Sequence, residues 1–134
     1  TLASIVDEET SHDDENEKVA GLYMNRLEQG IPLQADPTLK FALGDFTIKR
    51  ILNVDKEIDS PYNTYKSRGL PPGPITIPSV SAIDGVLNYE NHNFIFMCAK
   101  SDFSGYHAFA RSLKQHNRNA AEYQRELNKK GIYR

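Results

Sequence analysis

Residues 15–29 read ENEKVAGLYMNRLEQ and are followed by Gly30, and this stretch decides the fold of the first half of the chain. Its apolar residues recur at intervals of three and four positions, which predicts a helix with one buried face. Asp14 and Glu17 have the spacing of a capping box at its start, and Gly30 fits its C-terminal cap. The buried face would consist of Val19, Ala20, Tyr23, Met24 and Leu27.

Another helix is predicted just before this one, over about residues 2–10. Leu2, Ile5 and Val6 have the spacing of one apolar helix face, and the polar cluster 11–15 ends the pattern. On the other side, all seven prolines lie between residues 32 and 78. Proline breaks long helices, so we predict a long loop-rich region with a short helix at 38–43 or 47–52.

The last third of the chain predicts a small hairpin between two helices. A helix should begin at Ser79 or Ser81 and end near Leu87, and strands are expected at 93–99 and 106–110 with a turn at 104–105. A closing helix over 112–130 would end at Gly131. The chain is therefore predicted to be one α+β domain over residues 1–134, with helices at both ends around a small antiparallel hairpin and a long Pro/Gly-rich loop region.

Composition excludes several classes of function. The 16 basic and 18 acidic residues nearly cancel, so no overall field favours nucleic acid. The histidines show no metal-ligand spacing, and we expect neither a metal nor a cofactor. Cys98 lies in an apolar run and is expected to be a buried, inert thiol. No stretch is long enough to span a membrane, but the chain begins in what reads as helix interior, which suggests a fragment of a longer protein.

Three consecutive acids, Asp7, Glu8 and Glu9, end the first predicted helix. A rotation of about 100° per residue places them on different faces, and Glu9 alone falls near the apolar stripe. Desolvation there and the negative end of the helix dipole both favour a protonated carboxyl group, which is a proton donor suited to glycosidic cleavage. The pattern also fits a plain alternative, an exposed acid at a frayed helix end or one paired with a lysine.

Two later segments combine planar polar groups with aromatic faces, as carbohydrate sites do. The candidates for substrate contacts there are Gln34, Asp36, Tyr62, Asn63 and Tyr65. Asp36 fits a turn or helix cap equally well, and the Pro/Gly run at 69–75 fits a structural turn. His107, in the second predicted strand, fits both packing and substrate contact. Asn25 is a further candidate because it projects away from the apolar stripe of its helix.

Taken in order, these motifs resemble the MltG (YceG-like) endolytic murein transglycosylases over nearly the whole chain. The motifs are ASIVDEET at 3–10, VA at 19–20 with NRL at 25–27, LQADPT at 33–38, YNTY at 62–65, GLPPGPI at 69–75 and HAF at 107–109. The resemblance implies a YceG-like fold with a lysozyme-like catalytic helix. It also implies cleavage of the β-1,4 bond between N-acetylmuramic acid and N-acetylglucosamine within peptidoglycan strands, leaving 1,6-anhydro ends.

Such a polysaccharide lyase needs one carboxylate, because the C6 hydroxyl of the sugar is the nucleophile. The family motif has Glu where this chain has Asp7, whereas Glu9 followed by Thr10 is similar to the Glu-Ser pair of other lytic transglycosylases. Glu9 is therefore the expected acid/base residue. The alternatives are a lysozyme-like hydrolase that pairs Glu9 with Asp36 and a murein-binding module without activity.

The resemblance also implies a place in the cell. Family members are tethered to the inner membrane of the bacterial cell envelope by an N-terminal helix, with a LysM-like module before a catalytic part on the periplasmic side. Neither segment occurs in this chain, so any membrane contact is expected only through an absent segment. The expected partners are peptidoglycan glycan strands and, in the cell, cell-wall synthases.

Overall fold

The computed structural model describes residues 1–132 and confirms an α+β architecture. In this part of the chain five α-helices surround a two-stranded antiparallel sheet. The elements are α1 (Leu2–Glu9), α2 (Asn16–Gln29), α3 (Asp36–Leu43), α4 (Val80–Leu87), β1 (Phe96–Ala99), β2 (His107–Ala110) and α5 (Leu113–Lys129), with short 3-10 helices at Asp13–Glu15 and Asn53–Glu57. No helix among the described residues is long and apolar enough to cross a membrane.

The core lies where α1 packs against α2, α3 and α4. Ile5 and Val6 of α1 are fully buried, as are Val19 and Ala20 of α2, so the apolar stripes predicted from spacing do face inward. Full burial of side chains of this size stabilises a fold by roughly 1.5–3 kcal/mol each. This packing fixes the direction in which the last residue of α1 points.

The predicted capping box of α2 is wrong. The N-cap position is Glu15, and neither its side chain nor that of Asp14 caps the helix. Asp14 accepts hydrogen bonds from the hydroxyl of Tyr106 instead, and Glu15 turns toward β2. The other end agrees with expectation, because Gly30 adopts a left-handed conformation with φ of 67°.

α4 approaches α2 closely enough to require a glycine. A Cβ atom on Gly85 would lie 2.6 Å from the Cβ of Asn16, a distance that packed side chains do not tolerate. Ser79 begins α4, and its Oγ accepts a hydrogen bond from the backbone N–H of Ala82. Of the two cap positions considered for this helix, Ser79 is the correct one.

The loop-rich region contains one of the two short helices considered. α3 covers the 38–43 segment and starts earlier, at Asp36, because Pro37 fits the first turn of a helix. Residues 47–52 are not helical. Specific contacts order the remaining loop. For example, the hydroxyl oxygen of Ser4 accepts a hydrogen bond from the backbone N–H of the buried Ile75.

The hairpin and α5 form the second part of the structure. β1 pairs antiparallel with β2 so that Phe96 faces Ala110 and Ala99 faces His107. β1 is shorter than the predicted strand over 93–99 and is half-buried along its length. Cys98 on β1 is also half-buried, and burial followed by the charge of Glu122 raises its pKa to about 11, as suits an unreactive thiol. α5 packs across both strands.

Candidate active site

Glu9 is the last residue of α1, and its carboxylate lies in a cavity of about 340 Å³ between α2, α3, β1 and α5. One carboxylate oxygen accepts a hydrogen bond of 3.1 Å from the hydroxyl of Tyr23, and the other lies 3.3 Å from Nε2 of His107. Its side chain is 16% exposed, so it is sheltered yet reachable from the cavity. The helix spacing predicted apolar surroundings for the Glu9 carboxylate, but its partners are polar. The alternative prediction was a pairing with a lysine, and the cationic partner is a histidine instead.

His107, the first residue of β2, is held between two glutamates. Its Nδ1 lies 2.9 Å from Glu15 Oε1, and its backbone N–H donates to Glu15 Oε2 at 2.9 Å. Burial alone would lower the pKa of this ring, but hydrogen bonds and charge from Glu9 and then Glu15 outweigh it and raise the pKa to about 9. At neutral pH the imidazole is therefore a cation that donates from both nitrogens.

Glu15 is itself buried and fully partnered. The hydroxyl of Thr10 donates to its Oε1 at 3.0 Å, in addition to the two contacts with His107. A buried carboxylate is stable only when it is paired and hydrogen-bonded, and this one has three donors. The arrangement fixes the orientation of the imidazole ring that contacts Glu9.

Tyr23 projects from the buried face of α2 into the cavity. Burial, followed by the charge of Glu9 and the hydrogen bond to it, raises the pKa of this phenol well above its ordinary value. Its hydroxyl therefore remains a donor at any physiological pH. Tyr23 and His107 together hold the two oxygens of Glu9 in place.

A second carboxylate, Asp36, shares the cavity. The hydroxyl of Tyr65 donates to its Oδ1 at 2.5 Å. Burial and then the negative charge of Glu9 raise the pKa of Asp36, which means that its charged form is disfavoured. Burial and the neighbouring Asp36 also raise the pKa of Tyr65, so the phenol stays protonated. The ends of α1 and α3 thus bring two carboxyl groups to one cavity.

The loop that carries Tyr65 is fastened to the start of α3 by Thr64. Thr64 Oγ1 accepts the backbone N–H of Ala35 at 2.9 Å, and its carbonyl accepts the N–H of Gln34 at 3.1 Å. Gln34 is exposed at the cavity rim and has φ of 51°, a conformation uncommon outside glycine. Backbone conformations of this kind concentrate at functional sites.

The structure therefore brings five of the predicted site residues together around one cavity, namely Glu9, Gln34, Asp36, Tyr65 and His107. Asp7 points elsewhere, since its carboxylate accepts from the hydroxyl of Ser79 at the start of α4. Glu8 is exposed at the cavity rim. The structure thus separates Asp7 from Glu9, as the helical spacing predicted, whereas Glu8 borders the same cavity as Glu9.

Three other predicted substrate contacts do not line this cavity. Asn63 is fully buried, and its side-chain amide donates to the backbone carbonyls of Lys56 and Ile58. Tyr62 packs against Phe41 with ring centroids 4.7 Å apart. Asn25 donates to the carbonyls of His92 and Phe94 and so fixes the chain before β1. In this structure the contacts described for these three side chains are with the protein's own residues.

Two side chains that support Glu9 were not predicted. No pattern in the sequence pointed to Glu15, which lies behind His107, because these two residues are 92 positions apart. Tyr23 was placed in the apolar stripe of α2, where its hydroxyl could have suggested a buried polar partner. Five lysine and arginine side chains also line the cavity, which suits a polymer that carries acidic groups; these are Arg26, Lys40, Lys49, Arg50 and Lys56.

The chain is similar to known proteins in sequence. A family model described as the YceG-like family matches residues 1–122. A Bacillus subtilis (strain 168) protein named endolytic murein transglycosylase is 39% identical over 130 residues, which cover 97% of this chain and 35% of that protein. A protein of the same name from Streptococcus pneumoniae (strain D39) is 34% identical over 128 residues, covering 92% of this chain and 23% of that protein.

A solved structure is also similar. The crystal structure of a yceG-like protein from Listeria monocytogenes superposes with a TM-score of 0.80 at 36% sequence identity, covering 88% of this chain and 38% of that one. The chain thus spans 35% and 23% of the two curated relatives described above.

Proposed function

The chain belongs to the YceG-like family, and on that premise we propose that it is the catalytic part of an endolytic peptidoglycan lytic transglycosylase. It cleaves the β-1,4 bond between N-acetylmuramic acid and N-acetylglucosamine within glycan strands and leaves 1,6-anhydro ends. The observation that carries the proposal is the placement of Glu9 in a cavity, between a phenol donor and an imidazolium. The names of the relatives support the same reaction.

In the proposed reaction Glu9 acts first as acid and then as base. Its protonated carboxyl group donates a proton to the glycosidic oxygen, and the bond from that oxygen to C1 breaks. The resulting carboxylate then accepts the proton of the C6 hydroxyl, whose oxygen bonds to C1 and closes the anhydro ring. One carboxylate suffices because no water is added, in contrast to the two-carboxylate glycosidases.

His107 and Glu15 position Glu9 in this proposal. With His107 as a cation, its Nε2–H faces the Glu9 carboxylate across 3.3 Å and is the source of the proton that Glu9 donates. Glu15 keeps the ring in the orientation that contacts Glu9. The donated proton leaves on the glycosidic oxygen, and the proton of the C6 hydroxyl replaces it, so the pair ends each turnover as it began.

Substrate contacts are assigned to the remaining groups at the cavity. Gln34 at the rim offers a planar amide, and Tyr65 with Asp36 offers a paired hydroxyl and carboxyl group for sugar hydroxyls. Both ring nitrogens of His107 already face carboxylates. Any contact of His107 with the sugar is therefore made by the carbon atoms of its ring.

The test is digestion of purified murein by the native protein and by Glu9→Gln, with Glu17→Gln as the matched control because Glu17 is exposed and does not line the cavity. Mass spectrometry of the products should show anhydro-muropeptides with the native protein and the control. Removal of a general acid typically costs about 10²–10⁴-fold in rate, so Glu9→Gln should give almost none. Equal yields from all three proteins would remove Glu9 from its role.

The lysozyme-like alternative uses Glu9 together with Asp36, which do share the cavity. It predicts reducing sugar ends in place of anhydro ends. The Tyr65 hydroxyl on Asp36 and the raised pKa of that carboxyl group speak against a free nucleophile there. A murein-binding module would instead bind glycan without producing any new ends.

We also propose that this domain acts on the outer, periplasmic side of the inner membrane, in a longer protein anchored there and working beside cell-wall synthases. The greater length of the relatives supports a longer parent, and the substrate lies outside the cytoplasm. Protease treatment of spheroplasts should degrade the domain if this is correct, and protection from the protease would contradict it.

A further inference from the structure

One face of α5 forms a wall of the cavity that contains Glu9. Its members recur at the spacing of a single helix face. They are His116, Ala120, Tyr123, Gln124 and Leu127. The match to the family model ends at residue 122, so the last three lie beyond the matched segment. None of these residues takes part in the reaction proposed above.

Two polar atoms on this face are buried without a partner. Within residues 1–132, neither Nδ1 of His116 nor Oε1 of Gln124 has a hydrogen-bond partner. Buried polar atoms in folded proteins are paired in the large majority of cases, and each exception calls for an explanation. Both exceptions among the described side chains lie on one helix and line one cavity.

The chemistry of the two groups is neutral. Burial and then the nearby Arg26 lower the pKa of His116, so its ring is uncharged at neutral pH. The ring stacks on Phe96 at 5.1 Å between centroids, which fixes its plane. Gln124 presents a carbonyl oxygen, an acceptor only. An acceptor beside a neutral ring suits amide N–H and hydroxyl groups and not a carboxylate.

The same face supplies an aromatic ring. Tyr123 also lines the cavity, and its ring centroid lies 5.8 Å from that of Phe103. Sugars combine an apolar ring face with amide and hydroxyl groups, and binding sites for them pair aromatic side chains with planar polar ones. Of the groups in a glycan strand, an N-acetylated sugar residue matches this wall best.

We propose that the inner face of α5 is a saccharide subsite, in which Gln124 accepts the N–H of an N-acetyl group and His116 bonds a hydroxyl of the same sugar. The inference rests on the proposed function, because the sugar belongs to the strand that Glu9 cleaves. It makes Gln124 and His116 specificity-determining residues without a part in proton transfer.

The first test is kinetic. Gln124→Leu removes the acceptor, and Gln115→Leu is the matched control because Gln115 lies on the exposed side of the same helix. Loss of one neutral hydrogen bond corresponds to about a five- to tenfold change in binding. We expect Gln124→Leu to raise KM for soluble murein strands by about that factor with kcat nearly unchanged, and the control to keep both. An unchanged KM in Gln124→Leu would overturn the proposal.

The second test needs no substitution on α5, so it stands even where Gln124→Leu fails to fold. In the inactive Glu9→Gln protein, saturating amounts of murein strands prepared without stem peptides should shift the NMR signal of the Gln124 side-chain amide and leave that of Gln115 in place. If the native protein makes anhydro ends but the Gln124 signal does not move, the subsite alone is refuted. If no strand binds and no ends form, the proposed function fails instead.

Discussion

Replacing Glu15 with glutamine should weaken the charge on His107 without changing the shape of the site. Glutamine is isosteric with glutamate and can still accept one hydrogen bond, but it carries no charge. Of the two carboxylates that raise the pKa of His107, only Glu9 would remain. The pKa of His107 should therefore fall from about 9 toward its ordinary value of 6.5.

The magnitude follows from the pKa of His107. The difference between 6.5 and about 9 corresponds to about 3 kcal/mol of preference for the charged ring in the folded state. Glu9 raises the pKa of His107 more than Glu15 does, and burial opposes both. Adding the hydrogen bond that glutamine cannot replace, we expect Glu15→Gln to lower the free energy of unfolding at pH 6 by about 1–2 kcal/mol.

The pH dependence has a definite sign. Because the folded-state pKa of His107 is raised, its contribution is fully present below pH 6.5 and is lost as the pH rises through about 9. The stability gap between the native protein and Glu15→Gln should therefore be largest near pH 6 and narrow above pH 9. Urea unfolding at the two pH values and NMR titration of the His107 ring measure both effects.

The matched control is Glu17→Gln, two residues further on and exposed to solvent. It should leave the titration of His107 and the stability nearly unchanged. The reasoning would be refuted by a His107 pKa that Glu15→Gln does not alter. A stability loss of equal size at pH 6 and above pH 9 would also contradict it, since it would reflect packing and not charge.

Three further predictions concern stability and the choice of acid. Gly85→Ala should lower the free energy of unfolding by about 1–3 kcal/mol because its Cβ would meet Asn16, and denaturant unfolding with no such loss would mean that α4 shifts freely. Asn63→Ala should cost about 1–3 kcal/mol in the same assay, since two loop carbonyls lose their donors; a neutral result would show that water replaces the amide. Asp7→Asn should leave the yield of anhydro ends, measured by mass spectrometry, within about twofold of native, because the partner of Asp7 is the Ser79 hydroxyl outside the cavity. A large loss of these ends would contradict the choice of Glu9 over Asp7 as the acid.

Local spacing was enough to predict much of the fold. The apolar stripes of α1 and α2 and the left-handed cap at Gly30 depend on residues close in sequence, and the structure confirms them. The same spacing placed Glu9 apart from Asp7, which the structure also shows. These features were predictable because a helix converts sequence distance directly into direction.

The supporting residues were less predictable because they depend on tertiary contacts. Asn63 and Tyr65 lie two positions apart in one motif, yet one is buried in its own loop and the other reaches Asp36. The difference arises from the turn between them, which sequence composition does not specify. The placement of Gln124 at the cavity could not be predicted for the same reason, because packing decides where α5 lies on the hairpin.

The surroundings of Glu9 show what such tertiary contacts add to the chemistry. An apolar pocket, as the helix spacing suggested, could favour a protonated carboxyl group only by desolvation. The structure provides a cation at 3.3 Å whose own orientation is fixed by a second, buried glutamate. In the proposed reaction the imidazolium of His107 supplies the proton that Glu9 passes to the leaving oxygen, and the proton of the C6 hydroxyl restores the pair. The proton donor of this proposal is therefore the pair of Glu9 and His107, and not a carboxyl group isolated in an apolar pocket.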